Sequence, residues 1–390
     1  MNNGSNARYN DAAAGATRRP HEEAAVSDPI KSAFYDIQAA MGATFVDEGG
    51  WWWTGGFGDA AREYAAVREG VGMWDLSPLN KWDLRGPDAV EAVQRVHSND
   101  VLGMSAGQVR YGAFLDEDGL LVDDGTVFRF ADDHLWIMTN DMNRQEYFDD
   151  AVKGLDVTVE YLGARLPSLQ IQGPGSRDLV RSIVDADVDA LRYFRFLPEH
   201  VRLGGAPVIL SRTGFSGELG FEVFLEPEHA EAVWDAVAGA GAVPYGIDII
   251  EAVRVETGMV VTGYDYLEHE RTPFDVGMDR LVALEAPGEF MGKDKLREVA
   301  ASPPNRFKTL RLEDGALPEY GAAVTRDGED VGVLTSPAES PRLGPIGLAI
   351  LRADAADDGA GVEVARGDGV VGATVDQAAV YDPQKRRPRG

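Results

Sequence analysis

The sequence predicts an α+β protein that ends in a small all-β domain. Three observations carry this prediction. Amphipathic helices with recognisable caps occur among short strand-like runs through residues 29–304. Those runs follow one another as antiparallel hairpins and do not alternate regularly with helices, as βαβ units would. After a break at Ala300–Asn305, every periodic segment has the pattern of a strand.

Five helices are predicted from capping residues and apolar periodicity. Asp59 can cap the first, which runs to about Glu69 and ends at Gly70. Asp88 can cap the second, with Glu91 as its capping-box partner. The others are predicted near residues 176–184, 228–238 and 247–257.

Strand-like segments lie on both sides of the break. Before it they are residues 82–85, 111–115, 126–130, 135–139, 157–162, 168–172, 208–210 and 220–225. After it they are residues 307–312, 322–325, 331–336, 347–351, 361–365 and 370–375. The second group predicts a β domain over residues 305–382.

Length and composition limit the architecture. A chain of 390 residues with 44% hydrophobic residues is long enough for two or three packed units. Residues 1–28 and the basic tail 383–390 lack apolar periodicity, so we expect both to be disordered or loosely attached. The domain prediction is therefore an arm (1–28), an α+β region (29–304), a β domain (305–382) and a tail (383–390).

Charge and composition exclude several classes of function. A net charge of −28 argues against binding nucleic acid or an anionic membrane and is typical of an acidic surface that aids solubility, including in a salt-tolerant host. No apolar run approaches the roughly 18 residues of a membrane span, and the N-terminus lacks a signal-peptide core. We therefore expect a soluble, cytoplasmic protein. With no cysteine, disulfides and thiolate chemistry are excluded.

Common cofactor motifs do not occur in the chain. The glycines at 55–58 lack the spacing of a dinucleotide fingerprint, and there is no P-loop. The six histidines show no metal-ligand spacing, so no metal is predicted.

Three segments carry polar residues in unusual places. The first, residues 107–124, predicts a strand, a turn at Glu117–Gly119 and a returning strand that ends in Asp123-Asp124. Adjacent acids on a strand point to opposite faces, so one can face water while the other faces inward. In the second, residues 212–224, Glu222 lies within an apolar strand. The third is a helix at 246–258 that carries Arg254 and Glu256.

Taken alone, the first two segments favour solvated positions for their acids. Asp123-Asp124 would belong to a solvated loop, and Glu222 would face solvent on an edge strand. The alternative is that Glu222 is held for a ligand with paired N–H donors.

In order along the chain, these segments resemble the glycine-cleavage T-protein (aminomethyltransferase) family, which includes folate-dependent demethylases. The resemblance covers about residues 45–385. It also rests on four further blocks: residues 64–77, 93–101, 289–296 and 332–349. It implies a three-domain architecture around a folate channel, with two interleaved α+β subdomains in 29–304 and a C-terminal β-barrel-like domain.

The resemblance also implies site residues and a cofactor, tetrahydrofolate. Glu222 would receive the pterin N–H groups, and Tyr111 would pack along the folate. Asp124 would lie near the reacting nitrogens as the catalytic residue. Phe215 stands where the family usually has tyrosine, so stacking would survive without the hydroxyl.

Two departures from the family pattern affect the predicted reaction. Ile250-Glu251 replaces an Arg-Asp pair, and Ser77-Pro78-Leu79 replaces Ser-His-Met. In addition, the run Trp51, Trp52 and Trp53 is either core packing or an aromatic wall for a cationic or methoxylated substrate.

The sequence therefore predicts a tetrahydrofolate-dependent one-carbon transferase. We favour a methyltransferase that demethylates a small O-, N- or S-methylated substrate. The alternatives are an aminomethyltransferase acting on a lipoyl carrier protein, a non-catalytic folate-binding protein, and a regulatory or structural protein without folate. A phenolate leaving group would need a general acid, for which Tyr245, Tyr264 and Tyr266 are candidates near the substrate.

Overall fold

The protein is described from a computed structural model, which covers residues 28–140, 144–313 and 315–390. Apart from Asp28, the predicted N-terminal arm lies outside the described residues. Among the described residues, none of the helices has the length and apolar character needed to span a bilayer.

Helices and strands intermingle along the chain, as predicted. The helices are α1 (Tyr35–Ala40), α2 (Ala60–Glu69), α3 (Ala89–Val96), α4 (Gln145–Ala151), α5 (Ser176–Ile183), α6 (Ala230–Gly239), α7 (Ile247–Thr257) and α8 (Lys293–Ala300). The strands are β1 (Thr44–Glu48), β2 (Trp51–Gly56), β3 (Gly72–Asp75), β4 (Asn80–Arg85), β5 (Gln108–Leu115), β6 (Leu121–Ala131), β7 (His134–Thr139), β8 (Thr158–Tyr161), β9 (Ser168–Gln172), β10 (Val201–Leu203), β11 (Ala206–Ser211), β12 (Gly220–Phe224), β13 (Val243–Pro244), β14 (Asn305–Leu312), β15 (Ala322–Arg326), β16 (Glu329–Ser340), β17 (Gly344–Arg352), β18 (Gly361–Arg366) and β19 (Gly369–Gln377).

The described residues form two compact units, each built from separated stretches of chain. The barrel unit comprises Gly112–Asp124 and Ile250–Gln384. The sheet unit comprises 28–111, Gly125–Ile249 and Lys385–Gly390.

The sheet unit contains a six-stranded sheet in the order β10-β11-β12-β9-β3-β13. All neighbours in it are antiparallel except β13 and β3. Apolar side chains from its strands, including Leu169, Phe221 and Val223, pack with Trp234 and Val237 of α6 into one core. Strand β12 is paired on both sides, by β11 and β9.

A five-stranded sheet, in the order β5-β6-β7-β4-β8, carries the predicted turn between β5 and β6. The Asp116 carbonyl accepts a hydrogen bond from the Gly119 N–H at 3.1 Å. Gly119 has φ +77°, a left-handed conformation that favours glycine. The turn predicted at Glu117–Gly119 is therefore confirmed.

The barrel unit contains a closed barrel of six strands in the order β14-β17-β16-β15-β18-β19. Its interior is apolar, with contributions from Leu310, Val324, Leu334, Val364 and Val375. The predicted α+β class and the C-terminal barrel are thus confirmed.

Two local predictions need correction. Asp88 precedes α3 but makes no side-chain cap, because its carboxylate accepts the Asp156 N–H at 2.7 Å instead. Glu91, its expected capping-box partner, pairs with Arg95 at 2.8 Å.

The predicted loose attachment of the basic tail is also wrong. Arg212 donates hydrogen bonds to the carbonyls of Pro388 at 3.3 Å and Arg389 at 2.5 Å. Arg387 lies 3.3 Å from the Glu218 carboxylate. Pro388 is buried, so this end of the chain is anchored within the sheet unit.

Candidate active site

Glu222 lies in the middle of the six-stranded sheet, on β12. The alternative of an edge strand, which the segment alone favoured, does not hold, because β11 pairs with β12 on one side and β9 on the other. Its side chain is only partly exposed. The Thr213 hydroxyl donates to Oε2 of Glu222 and also contacts the Ser211 hydroxyl at 2.8 Å. The carboxylate is thus held from within its own sheet.

The electrostatic setting of Glu222 is that of a carboxylate largely removed from water. Burial raises the pKa of Glu222 to about 6, although the Thr213 hydrogen bond and the charge of Lys81 act in the opposite direction. Among the described residues, none donates a hydrogen bond to Oε1 of Glu222. A ligand with N–H donors would satisfy this oxygen and favour the ionised form.

Lys81, on β4, is a fully buried lysine that the sequence did not single out. Its ammonium donates to the carbonyls of Ser77 at 3.0 Å and Leu79 at 2.8 Å. Burial lowers the pKa of Lys81 to about 7, against the charges of Asp75 and Glu222. Lys81 thus holds the loop that departs from the family pattern and, in its protonated form, adds positive charge near Glu222.

Tyr193 is a second residue that the sequence did not single out. Burial raises its pKa to about 12, with the charge of Arg389 lowering it and that of Glu222 raising it. A neutral tyrosine and a tail arginine therefore belong to the surroundings of Glu222.

Asp124 lies within β6 in the barrel unit. The prediction that the strand ends at the paired acids is wrong, because β6 continues to Ala131. Neither acid faces water, since Asp123 is 0% exposed and Asp124 is 5% exposed. The Asp124 N–H donates to the Asp123 carboxylate at 2.8 Å.

The structure distinguishes among the three candidate tyrosines. The Tyr266 hydroxyl donates to Oδ1 of Asp124. Tyr245 lies in the sheet unit, where it is fully buried and accepts from Gln170 at 3.2 Å. Burial raises the pKa of Tyr245 well above its usual range. The structure therefore pairs Tyr266 with Asp124.

Tyr264 belongs to a buried charge cluster in the barrel unit. Arg254 contacts Glu251 through two hydrogen bonds, at 2.7 and 2.8 Å, and Asp265 at 2.7 Å. Burial alone would lower the pKa of Arg254, but the two carboxylates raise it. The Tyr320 hydroxyl donates to Glu251 at 3.0 Å, and Tyr264 lies beside both Tyr320 and Arg254.

The other predicted site residues fall in the sheet unit. Tyr111 and Phe215 are both partly exposed, and the Tyr111 carbonyl accepts from Asn99 at 3.0 Å. The placement of either along a folate stays a prediction.

The tryptophan run forms part of β2. Trp51 and Trp53 are only 3% and 8% exposed, and the Trp53 ring lies 5.8 Å from that of Trp74. Trp52 is partly exposed. The first and third rings therefore serve packing, while the aromatic wall stays a prediction.

The residues missed from sequence had weak signals. Thr213 is on the same segment as Glu222, nine positions earlier, but only the β11–β12 pairing shows their contact. Lys81 stands within a largely buried strand, where an unpaired lysine is unusual. Neither position has a motif of its own.

Two family models match this chain, one before and one after the break at Ala300–Asn305. The family model described as "GCVT N-terminal domain" matches residues 34–286. The model described as "Glycine cleavage T-protein C-terminal barrel domain" matches residues 305–382.

Individual relatives and a solved structure are also similar. An aminomethyltransferase of Streptomyces coelicolor is 35% identical over 349 residues, covering 86% of this chain and 93% of its own. A trimethylamine-oxide aldolase of Ruegeria pomeroyi is 33% identical over 393 residues, covering 95% of this chain but 49% of its own. The crystal structure of aminomethyltransferase T from Bartonella henselae superposes with a TM-score of 0.82 at 21% identity, covering 91% of this chain and 98% of that one, and so shares the fold.

Proposed function

Because this chain belongs to the glycine cleavage T-protein family, whose enzymes transfer one-carbon units to tetrahydrofolate, we propose that it demethylates a small methylated substrate. The observation that carries the proposal is the hydrogen bond from Tyr266 to the buried Asp124 carboxylate. This hydrogen bond brings a buried carboxylate and an oriented hydroxyl together in the barrel unit.

Glu222 is the residue that fits the folate. Its carboxylate is largely buried, and its Oε1 accepts no hydrogen bond from the described residues. A pterin ring offers the neighbouring N–H donors that such an oxygen lacks. When bound, tetrahydrofolate supplies the nitrogen that accepts the one-carbon unit.

Asp124 would act as the proton acceptor of the transfer. When a new carbon–nitrogen bond forms, a proton must leave the accepting nitrogen, and a carboxylate within reach can take it. The Tyr266 hydroxyl fixes the orientation of Oδ1 and stabilises the charged form of Asp124. Tyr266 is thus proposed as a positioning residue.

The altered pair Ile250-Glu251 favours demethylation over aminomethyl transfer. Ile250 is 5% exposed, and both oxygens of Glu251 contact Arg254. The positions that carry Arg-Asp in the family therefore offer neither a cation nor an uncommitted carboxylate. The similarity to the trimethylamine-oxide aldolase, which extends over 95% of this chain, supports a methylated substrate.

Aminomethyl transfer is the second candidate. Several relatives that cover most of this chain bear the name aminomethyltransferase, among them the 35% identical protein of Streptomyces coelicolor. In that case the partner would be an aminomethylated lipoyl carrier protein, and the products would be methylene-tetrahydrofolate and ammonia. A cytoplasmic location is proposed for either activity.

The test incubates the full chain with tetrahydrofolate and a panel of betaines, sulfonium compounds, methylglycines and methoxybenzoates. A parallel reaction contains aminomethylated lipoyl carrier protein. Methyltetrahydrofolate is measured by chromatography, and ammonia by an enzymatic assay. We expect methyltetrahydrofolate from at least one small donor, and roughly 10²–10⁴-fold slower formation by the Asp124→Asn variant.

Other results would overturn the proposal. Turnover of the carrier protein alone, with ammonia released, would establish aminomethyl transfer. Folate binding without any one-carbon product from either reaction would indicate a non-catalytic binder.

A further inference from the structure

A small, partly enclosed pocket opens within the barrel unit. Three tyrosines line it, Tyr264, Tyr266 and Tyr320, together with apolar side chains that include Ile350. The centroids of the Tyr264 and Tyr320 rings lie 5.5 Å apart at an interplanar angle of 59°, so the two rings pack against each other at an incline. One lining residue, Tyr266, is also the donor to Asp124.

The Tyr264 ring already contacts one cation within the protein. The Arg254 guanidinium carbon lies 5.9 Å from the centroid of the Tyr264 ring. Tyrosine faces carry negative potential, which attracts ammonium and guanidinium groups. The geometry is therefore suited to a cation rather than to an uncharged apolar group alone.

The charges around the pocket do not oppose a second cation. Arg254 is more than neutralised, because it contacts two carboxylates, Glu251 and Asp265. At the lining, Glu270 and Arg271 carry opposite charges that offset each other. The two arginines and three carboxylates among these residues together carry a net charge of −1.

Asp265 is committed to hydrogen bonds within the protein. Its Oδ1 accepts from Thr335 and Ser336, and its Oδ2 accepts from Arg254 and the Val261 N–H. A ligand that needs a strong hydrogen-bond partner would find none in Asp265. An onium group needs no such partner, because its methyl groups cannot donate a strong hydrogen bond.

We propose that this pocket binds the onium group of a small methylated cation, a quaternary ammonium or a sulfonium, against the rings of Tyr264 and Tyr320. This inference rests on the proposed function, because it takes the bound cation to be the methyl donor. It narrows the class of donor from O-, N- or S-methylated compounds to methylated cations. The binding itself can be measured without folate and without turnover.

The experiment titrates the full chain with choline by calorimetry, at constant chloride. Dimethylbutanol, in which carbon replaces the quaternary nitrogen, is the uncharged control of the same shape. Trimethylacetate is the anionic control. We expect choline to bind about tenfold more tightly than dimethylbutanol, the preference of a desolvated aromatic site for a cation.

Matched variants locate the binding. Tyr320→Leu removes the ring and should weaken choline binding about tenfold, whereas Tyr320→Phe keeps the ring and should stay within about twofold. The Tyr264→Leu and Tyr264→Phe pair provides the same comparison if Tyr320→Leu does not fold, as judged by circular dichroism.

Several results would overturn the inference. These are equal binding of choline and dimethylbutanol, tighter binding of trimethylacetate, no binding of choline, or equal effects of the leucine and phenylalanine variants. Turnover of a methylated donor without choline binding would reject the pocket and leave the proposed function standing. Choline binding without one-carbon transfer would support the pocket and reject the proposed function.

Discussion

Among single residues, Glu222 lowers the stability of the folded protein when its buried carboxylate is ionised. Its proposed role in binding folate would explain why a carboxylate stands there. Its folded pKa of about 6 lies above the ordinary value of 4.5. The protonated form is therefore favoured by folding, and this stabilisation is present below pH 4.5 and is lost as pH rises through about 6. At neutral pH the folded protein holds a carboxylate whose Oε2 is bonded by Thr213 and whose Oε1 a ligand with N–H donors would satisfy.

Glu222→Gln should accordingly weaken folate binding and, at the same time, raise the stability of the folded protein. We expect reduced folate to bind about 1.5–3 kcal/mol more weakly, the range for a hydrogen bond to a charged group. The free energy of unfolding should rise by about 1 kcal/mol at neutral pH, a value already reduced for partial solvent screening. Calorimetric titration and urea denaturation measure the two effects.

The pH dependence provides a control for the same variant. Folate affinity of the wild type should fall as pH drops below about 6, where Glu222 gains a proton, while the Gln variant should show no such step. The exposed Glu226→Gln changes the same charge nearby and should leave affinity intact. Equal affinity of Glu222→Gln and wild type would remove Glu222 from the folate site.

Asp124 and Tyr266 should affect turnover rather than affinity. Asp124→Asn is expected to lower kcat by roughly 10²–10⁴, the contribution of a positioned acid–base group. Tyr266→Phe should lower it by about tenfold or more through loss of one hydrogen bond to a carboxylate. Tyr161→Phe, which deletes a hydroxyl bonded to Asn80, is the matched control. A near-wild-type kcat in Asp124→Asn would contradict the mechanism.

At the residue scale, sequence reasoning found acids but not their partners. Asp124 and Glu222 stand out because carboxylates are unusual in apolar strands. Tyr266 is 142 positions from Asp124 in the chain, and no local pattern joins them. Only the tertiary fold shows why Asp124 is buried rather than solvated.

At the scale of elements, local signals predicted helices better than strand ends. Asp59 accepts the Arg62 N–H at the start of α2, as its capping role predicts. Gly258, with φ +64°, follows the end of α7. Strand β6 extends further than predicted, because its acids are stabilised by contacts that its own sequence does not specify. Short strands such as β10 and β13 had too few residues to show a period.

The Arg254 cluster joins α7 to the barrel strands and should contribute strongly to stability. Asp265→Asn would leave Arg254 buried with one fewer carboxylate and would place an amide among hydrogen-bond donors. We expect a loss of about 3 kcal/mol, as for a broken buried ion pair. Asp376→Asn, which removes a partly exposed partner of Arg311, should cost less than about 1 kcal/mol.

The choice of probe matters for this comparison. All seven tryptophans are in the sheet unit, so their fluorescence does not report directly on the barrel unit. Urea denaturation should therefore be followed by circular dichroism. Equal stability of Asp265→Asn and Asp376→Asn would show that the cluster does not hold the barrel unit together.

At the scale of the whole molecule, neither compact unit is formed by one continuous stretch of chain. The hairpin at Gly112–Asp124 is grouped with residues from Ile250 onwards, and the tail at Lys385–Gly390 with the sheet unit. A linear reading of composition detects the break at Ala300–Asn305. It cannot detect that separated stretches form one unit, because that depends on contacts between residues far apart in the chain.

The net charge of −28 is also a property of the whole molecule, and it predicts salt-dependent stability. Like charges held on a compact surface repel each other more than in the expanded unfolded chain. Raising ionic strength from about 0.01 M to about 0.3 M shortens the Debye length from roughly 30 Å to below 10 Å and weakens that repulsion. We expect Tm to rise by several degrees, equally in sodium and potassium chloride, when measured by calorimetry. A Tm that is independent of salt would show that local ion pairs rather than net charge determine the electrostatic stability of this protein.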